Sequence, residues 1–142
     1  EKGYIVVGQE TDGTVIPSDL GMNWAVSEKK DFIGKRSLSR TNSMRTDRKQ
    51  LVGLLTENPT TILPEGGQIP AKQTLSTPTP MIGYITSSYY SAVLGHSIAL
   101  ALIKGGRELH GDCVFVPLED KSIVATVINP IFYDIKGERL NG

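Results

Sequence analysis

LVGLLT (51–56), QIPAKQT (68–74), MIGYITSSYY (81–90), HSIALALIK (96–104), CVFVPL (113–118) and SIVATVI (122–128) are six short apolar runs set apart by glycine, proline and polar punctuation. Runs of this length, with β-branched and aromatic residues and no long helical pattern between them, predict strands. Six strands at this spacing predict a closed or nearly closed antiparallel barrel, a form that also removes sheet edges prone to aggregation. The connectors agree with this. NPTTILPEGG carries Pro59, Pro64, Gly66 and Gly67 and should make a wide turn, KGGRELHGD a glycine-rich reversal and LEDKS a tight one.

The chain before residue 50 has a different texture. GYIVVG (3–8) is an apolar run bracketed by glycines and predicts a buried strand, after which Asp12 and Gly13 turn the chain. Pro17, Ser18 and Asp19 lead into one helical turn that Gly21 ends. MNWAVS (22–27) places Met22, Trp24 and Val26 on one face, which predicts a second strand with Trp24 in the core. Asp31 is placed to cap a short helix running to about Asn42, and the charged connector SRTNSMRTDRKQ (39–50) is the best internal boundary. The expected fold class is α+β, mostly β, with a first part at 1–49 and an antiparallel barrel of about six strands at 50–142.

Composition bounds the function. A chain of 142 residues is about one domain long and buries roughly two-thirds of its unfolded surface. With 15 cationic and 15 anionic side chains there is no bulk steering toward nucleic acid or an anionic membrane. The charge is uneven, since eight cations face three anions across 28–50. No aromatic platform is interleaved with those cations, so a nucleic-acid partner is not expected. The single cysteine, Cys113, lies between apolar residues and is predicted to be buried in a reducing, cytoplasmic setting. No run of apolar residues is long enough for a membrane span, and no partner membrane is expected. His96 and His110 fall on different predicted elements, which argues against a metal site. GYIVVG lacks the glycine pattern of a dinucleotide turn. The chain starts at Glu1 without Met and reads as a piece of a longer protein.

The order and spacing of EKG, GQETDGT, IPSDLGMNW and DFIGKRSL, with FYDIKGERLNG near the end, resemble the aminomethyltransferase (glycine-cleavage T-protein) superfamily. Within it the likeness is greatest to the C-terminal region of sarcosine oxidase alpha subunits. The resemblance implies a remnant of a folate-binding domain at 1–49 followed by the superfamily's C-terminal barrel. It further implies a cytoplasmic parent enzyme that demethylates sarcosine and passes the carbon to tetrahydrofolate, with FAD, FMN and NAD bound outside this stretch and other subunits as hetero-oligomeric partners.

The same resemblance places four folate-binding candidates. Glu1 stands where the superfamily sets a carboxylate against the pterin ring, and two parallel hydrogen bonds from the 2-amino and N3 groups would orient the ring there. Its plain alternative is a frayed terminal acid. Trp24 occupies the superfamily's Trp position, where stacking on a ligand competes with a core role. Lys29 and Lys30 precede the FIGK turn and would meet the acidic tail of a folate, or else form a solvated basic face. Val7 replaces a frequent Tyr and Glu65 a frequent Arg, so contacts through those positions are not carried over. No catalytic residue is expected in this stretch, because the superfamily's aspartate lies upstream of it, and the isolated segment should be inactive. Rival readings are an aminomethyltransferase, a structural or subunit-contact module, and a folate protein of iron-sulfur assembly. The last carries KGCYxGQE, whereas this chain has no thiol before Gly8, Gln9 and Glu10.

Overall fold

The computed structural model describes residues 1–73, 78–119 and 121–139. Among these, the strands are β1 (Lys49–Thr56), β2 (Gln68–Pro70), β3 (Met81–Ser91), β4 (His96–Lys104), β5 (Cys113–Pro117) and β6 (Ser122–Ile128). All pairings between them are antiparallel, in the order β2-β3-β4-β1-β6-β5. The two outer strands curl toward each other, so the sheet is a nearly closed barrel.

Period-two alternation divides the strands between two cores. On β4, Ala99, Ala101 and Ile103 point into the barrel with Val52, Leu54, Ile85, Val116 and Val127. Leu100 and Leu102 point outward and join Leu51 in a second cluster, covered by Ile5, Val15, Leu20 and Phe132. Both faces of β4 are therefore buried, and its sequence reads as an unbroken apolar run instead of alternating. Each outer leucine kept from water contributes roughly 1.5–3 kcal/mol. Residues 1–20 are thus a second layer laid on the outside of the barrel.

Two local features shape that outer face. The pairing of β3 with β4 shifts register between Ile85 and Ser87, leaving Thr86 as an extra residue whose hydroxyl donates to Leu100 O at 3.1 Å. A bulge of this kind reverses the phase of the side chains. Ile85 opposite Ala101 faces the interior, whereas Ser87 opposite Leu100 and Tyr89 opposite Ile98 face outward. Gly53 lies where the chain after β6 crosses the barrel. A Cβ there would sit 2.6 Å from Asn129 O and 2.8 Å from Phe132 Cζ, so only glycine admits the crossing.

Several sequence expectations are corrected. GYIVVG is not a strand: positive φ at Gly3 and Gly8 interrupts extension, and Val7 makes only an isolated bridge to Thr11. MNWAVS is a single 3-10 turn over Asn23–Ala25, and Trp24 is 83% exposed instead of core. The helix is confined to α1 (Lys35–Leu38) and begins at Gly34, in the left-handed region, with no cap from Asp31. QIPAKQT is strand only over Gln68–Pro70, with Ala71 N donating once more to Pro80 O at 3.0 Å. Thr74, at the end of that run, and Asp120, in the LEDKS turn, lie outside the described residues. Cys113 is exposed, because the alternation of β5 turns Val114 and Val116 into the barrel and leaves Cys113, at the start of the strand, on the outward face. The turn after Pro17 forms as expected, with Met22 N donating to Pro17 O at 2.9 Å and Gly21 at positive φ.

Candidate functional site

The outward side of β3 and the first ten residues enclose a cleft of about 230 Å³, lined by Glu1, Tyr4, Glu10, Ser87, Tyr89 and Phe132 among others. The bulge at Thr86 is what brings Ser87 and Tyr89 to this side. The opposite wall depends on how residues 1–10 are tied down.

Glu1 is held at three points. Its carbonyl accepts from Phe132 N at 2.9 Å and Tyr133 N at 3.2 Å. Its Oε1 accepts the hydroxyl proton of Ser91 at 2.5 Å, and Ser91 Oγ in turn accepts from Leu94 N. The terminal acid is therefore not frayed. Next to it, Lys2 Nζ donates to Asp134 Oδ2 at 2.7 Å and to Asp134 O at 2.9 Å. That bond holds the Asp134 carboxyl below the usual carboxylate range. Gly3 then takes φ +68°, and a Cβ there would lie 2.6 Å from Pro130 O. Residues 1–3 and 130–134 form one interlocked seam.

Glu10 is the cleft's second carboxylate. It is 1% exposed, and its Oε2 accepts from Val6 N at 2.7 Å within a turn closed by Glu10 N and Val6 O. Its Oε1 is buried with no hydrogen-bond partner among the described residues. The GQE run at 8–10 contains this residue, but nothing in its spacing signals that the side chain turns inward.

The four sequence candidates do not share one cavity. Trp24 lines an adjoining cleft with Met22, Arg107 and His110, which meets the first along Lys2, Gly3 and Tyr4. Lys30 borders a separate groove with Pro17, Phe32 and Ile33. Lys29 is exposed on the same loop. That loop is organised by Lys35, whose Nζ donates to Glu28 O and Lys30 O, both at 2.9 Å.

Sequence reading also missed the ties that fix the outer layer. Asp19, buried, receives Arg48 Nε at 2.9 Å on Oδ1 and Arg48 NH2 at 2.6 Å on Oδ2. Arg48 also donates to Thr14 O and Asn42 O, and the Asp19 bonds raise its pKa above the usual guanidinium range. Arg107 donates to Ser18 O and Asp19 O from the turn after β4, beside the start of β1. Among the described residues, no group of three or more His, Cys, Asp or Glu is arranged to hold a metal, and no helix is long and apolar enough to cross a membrane.

Residues 49–134 match the family model of the glycine cleavage T-protein C-terminal barrel domain. The chain belongs to that family. Beyond the barrel family itself, the whole chain is 45% identical over 144 residues to the sarcosine oxidase subunit alpha of Corynebacterium sp. (strain P-1), of which it covers 15%. It is 42% identical over 144 residues to the same subunit of Rhizobium meliloti (strain 1021), covering 99% of this chain and 14% of that one. An aminomethyltransferase of Cupriavidus taiwanensis is 35% identical over 130 residues, covering 90% of this chain and 32% of the relative. The crystal structure of the glycine cleavage system aminomethyltransferase T from Bartonella henselae superposes with a TM-score of 0.74 at 20% identity, covering 90% of this chain and 35% of that one. That superposition shows the shared fold. The chain spans about 15% of the length of the sarcosine oxidase subunits it matches.

Proposed function

We propose that this chain is the C-terminal region of a sarcosine oxidase alpha subunit and that it supplies part of a tetrahydrofolate site. The observation that carries the reading is the similarity to those subunits across the whole chain, at 42–45% identity, against 32–35% for two aminomethyltransferases. In the proposed reaction sarcosine loses its N-methyl carbon by oxidation to an imine, and oxygen is reduced to hydrogen peroxide. Glycine leaves, and tetrahydrofolate captures the carbon as 5,10-methylenetetrahydrofolate. A flavin would take the hydride, with FAD, FMN and NAD all bound in parts of the parent outside this stretch, alongside the other subunits of a cytoplasmic hetero-oligomer.

The residues of the cleft fit the folate part of this reading. A reduced pterin pairs a planar pyrimidine ring with a puckered, saturated ring and is rich in N–H donors, and the cleft offers two carboxylates, which only accept when ionised. Glu1, pinned by Ser91 and by its own backbone, is the proposed partner of the 2-amino and N3 groups. Trp24 on the adjoining cleft is the proposed stacking surface, and Lys29 and Lys30 the proposed partners of the glutamate tail. In this assignment residues 1–49 are the remnant of the folate-binding domain, and the barrel at 50–142 closes over the site and braces subunit contacts.

The 32–35% identity to aminomethyltransferases supports a second reading, in which the parent has no flavin partner. The intact mass and absorbance spectrum of the purified parent separate the two. A yellow polypeptide several times longer than this chain, accompanied by other subunits, is the expected result. A colourless parent only two to three times this length would overturn the sarcosine oxidase reading.

A further inference from the structure

Glu10 presents a chemical imbalance that its own fold does not relieve. One carboxylate oxygen is bonded to Val6 N, the other is buried and unpartnered among the described residues, and the residue lines the same cleft as Glu1 and Tyr89. An ionised carboxylate oxygen shut away from water needs a donor. A ligand that brings an N–H to this wall supplies one.

The two carboxylates of the cleft then ask different questions of a pterin. The 2-amino and N3–H donors proposed to face Glu1 are the same in oxidised and reduced folates. The N5 and N8 positions are not: they carry hydrogens in tetrahydrofolate and bare lone pairs in folic acid. Resting on the folate reading above, we propose that Glu10 is a specificity-determining residue that accepts a ring N–H of the reduced pterin through Oε1. Oxidised folates are disfavoured because a lone pair then faces a lone pair. To reach the ligand, the Glu10 side chain has to turn about its Val6 contact toward the cleft that it lines.

The test is calorimetric titration of the full-length parent with tetrahydrofolate and with folic acid under argon, for the wild type, Glu10→Gln and Glu1→Gln. In Glu10→Gln the amide oxygen retains the Val6 N–H bond and an NH2 donor replaces the free acceptor, while thermal unfolding of the apo protein reports whether the variant is folded. The wild type should prefer tetrahydrofolate by about tenfold or more, as expected for a hydrogen bond to a charged group. Glu10→Gln should bring the two affinities close together, whereas Glu1→Gln should weaken both alike and leave their ratio intact. A ratio unchanged in Glu10→Gln overturns the proposal, and so does a wild type without preference, whether or not the variant folds. Failure of both ligands to bind the wild type would instead overturn the folate reading, and this inference with it.

Discussion

The Ser91 hydroxyl donates to Glu1 Oε1 at 2.5 Å, joining residues 90 positions apart in the chain. Ser91 ends β3, so the strand itself sets where the acid points. Ser91→Ala should leave the barrel folded at a stability loss of about 1 kcal/mol, yet let the Glu1 side chain swing. Tetrahydrofolate affinity of the parent should fall about tenfold, the equivalent of one lost hydrogen bond to a charged group. Calorimetric titration beside a thermal melt measures both.

The partly buried pair of Asp19 and Arg48 fixes the outer layer, and Asp19 O accepts from Leu51 N at 2.8 Å where β1 begins its run through the core. Removing Arg48 leaves the buried Asp19 carboxylate without its cation, at a cost somewhat less than the roughly 3–5 kcal/mol of a fully buried pair. Arg48→Ala should therefore speed hydrogen exchange at the Leu51 amide by on the order of 100-fold. Arg48→Lys, which keeps the charge but loses the forked contact, should fall between the two.

The strands were legible because their signal is local: an apolar run of a few residues, closed by glycine, proline or polar punctuation. The outer layer was not. GYIVVG has a strand's composition, but only Ile5 packs on Leu51, Leu100 and Leu102, while Val6 and Val7 are exposed and the flanking glycines bend the chain away from extension. MNWAVS alternates correctly for a sheet that is absent there, so its pattern points Trp24 to a core that does not exist at that position. The site is hidden for a related reason. Glu1, Glu10 and Tyr89 meet through a bulge in β3 and a seam between residues 1–3 and 130–134, and such long-range contacts leave no periodicity in the sequence.

Gly53 permits that seam. Gly53→Ala would push a methyl group into Asn129 O and the Phe132 ring, and overpacking of this kind costs about 1–3 kcal/mol. The displaced segment carries the amides that hold the Glu1 carbonyl. Both the unfolding midpoint and tetrahydrofolate affinity should drop, whereas an alanine at the open turn position Gly13 should leave affinity unchanged.

Asp134 gives the seam a pH dependence. The Lys2 hydrogen bond lowers the pKa of the folded carboxyl. Its contribution is therefore fully present above the unfolded value of about 3.9 and is lost as pH falls through the lower folded value. Asp134→Asn should melt below the wild type at neutral pH, and the gap should close as the pH drops below about 4. A gap that stays constant down to strong acid would assign Asp134 no role as an ionised partner of Lys2.

The central claim is that the cleft beneath Glu1 binds a reduced folate. Its most direct test is calorimetric titration of the full-length parent with tetrahydrofolate, comparing wild type with Glu1→Ala. The account predicts saturable binding by the wild type and a loss of about tenfold or more in the variant, with the melting temperature of the apo protein little changed. Equal affinity in the two proteins, or no binding by the wild type, would contradict it.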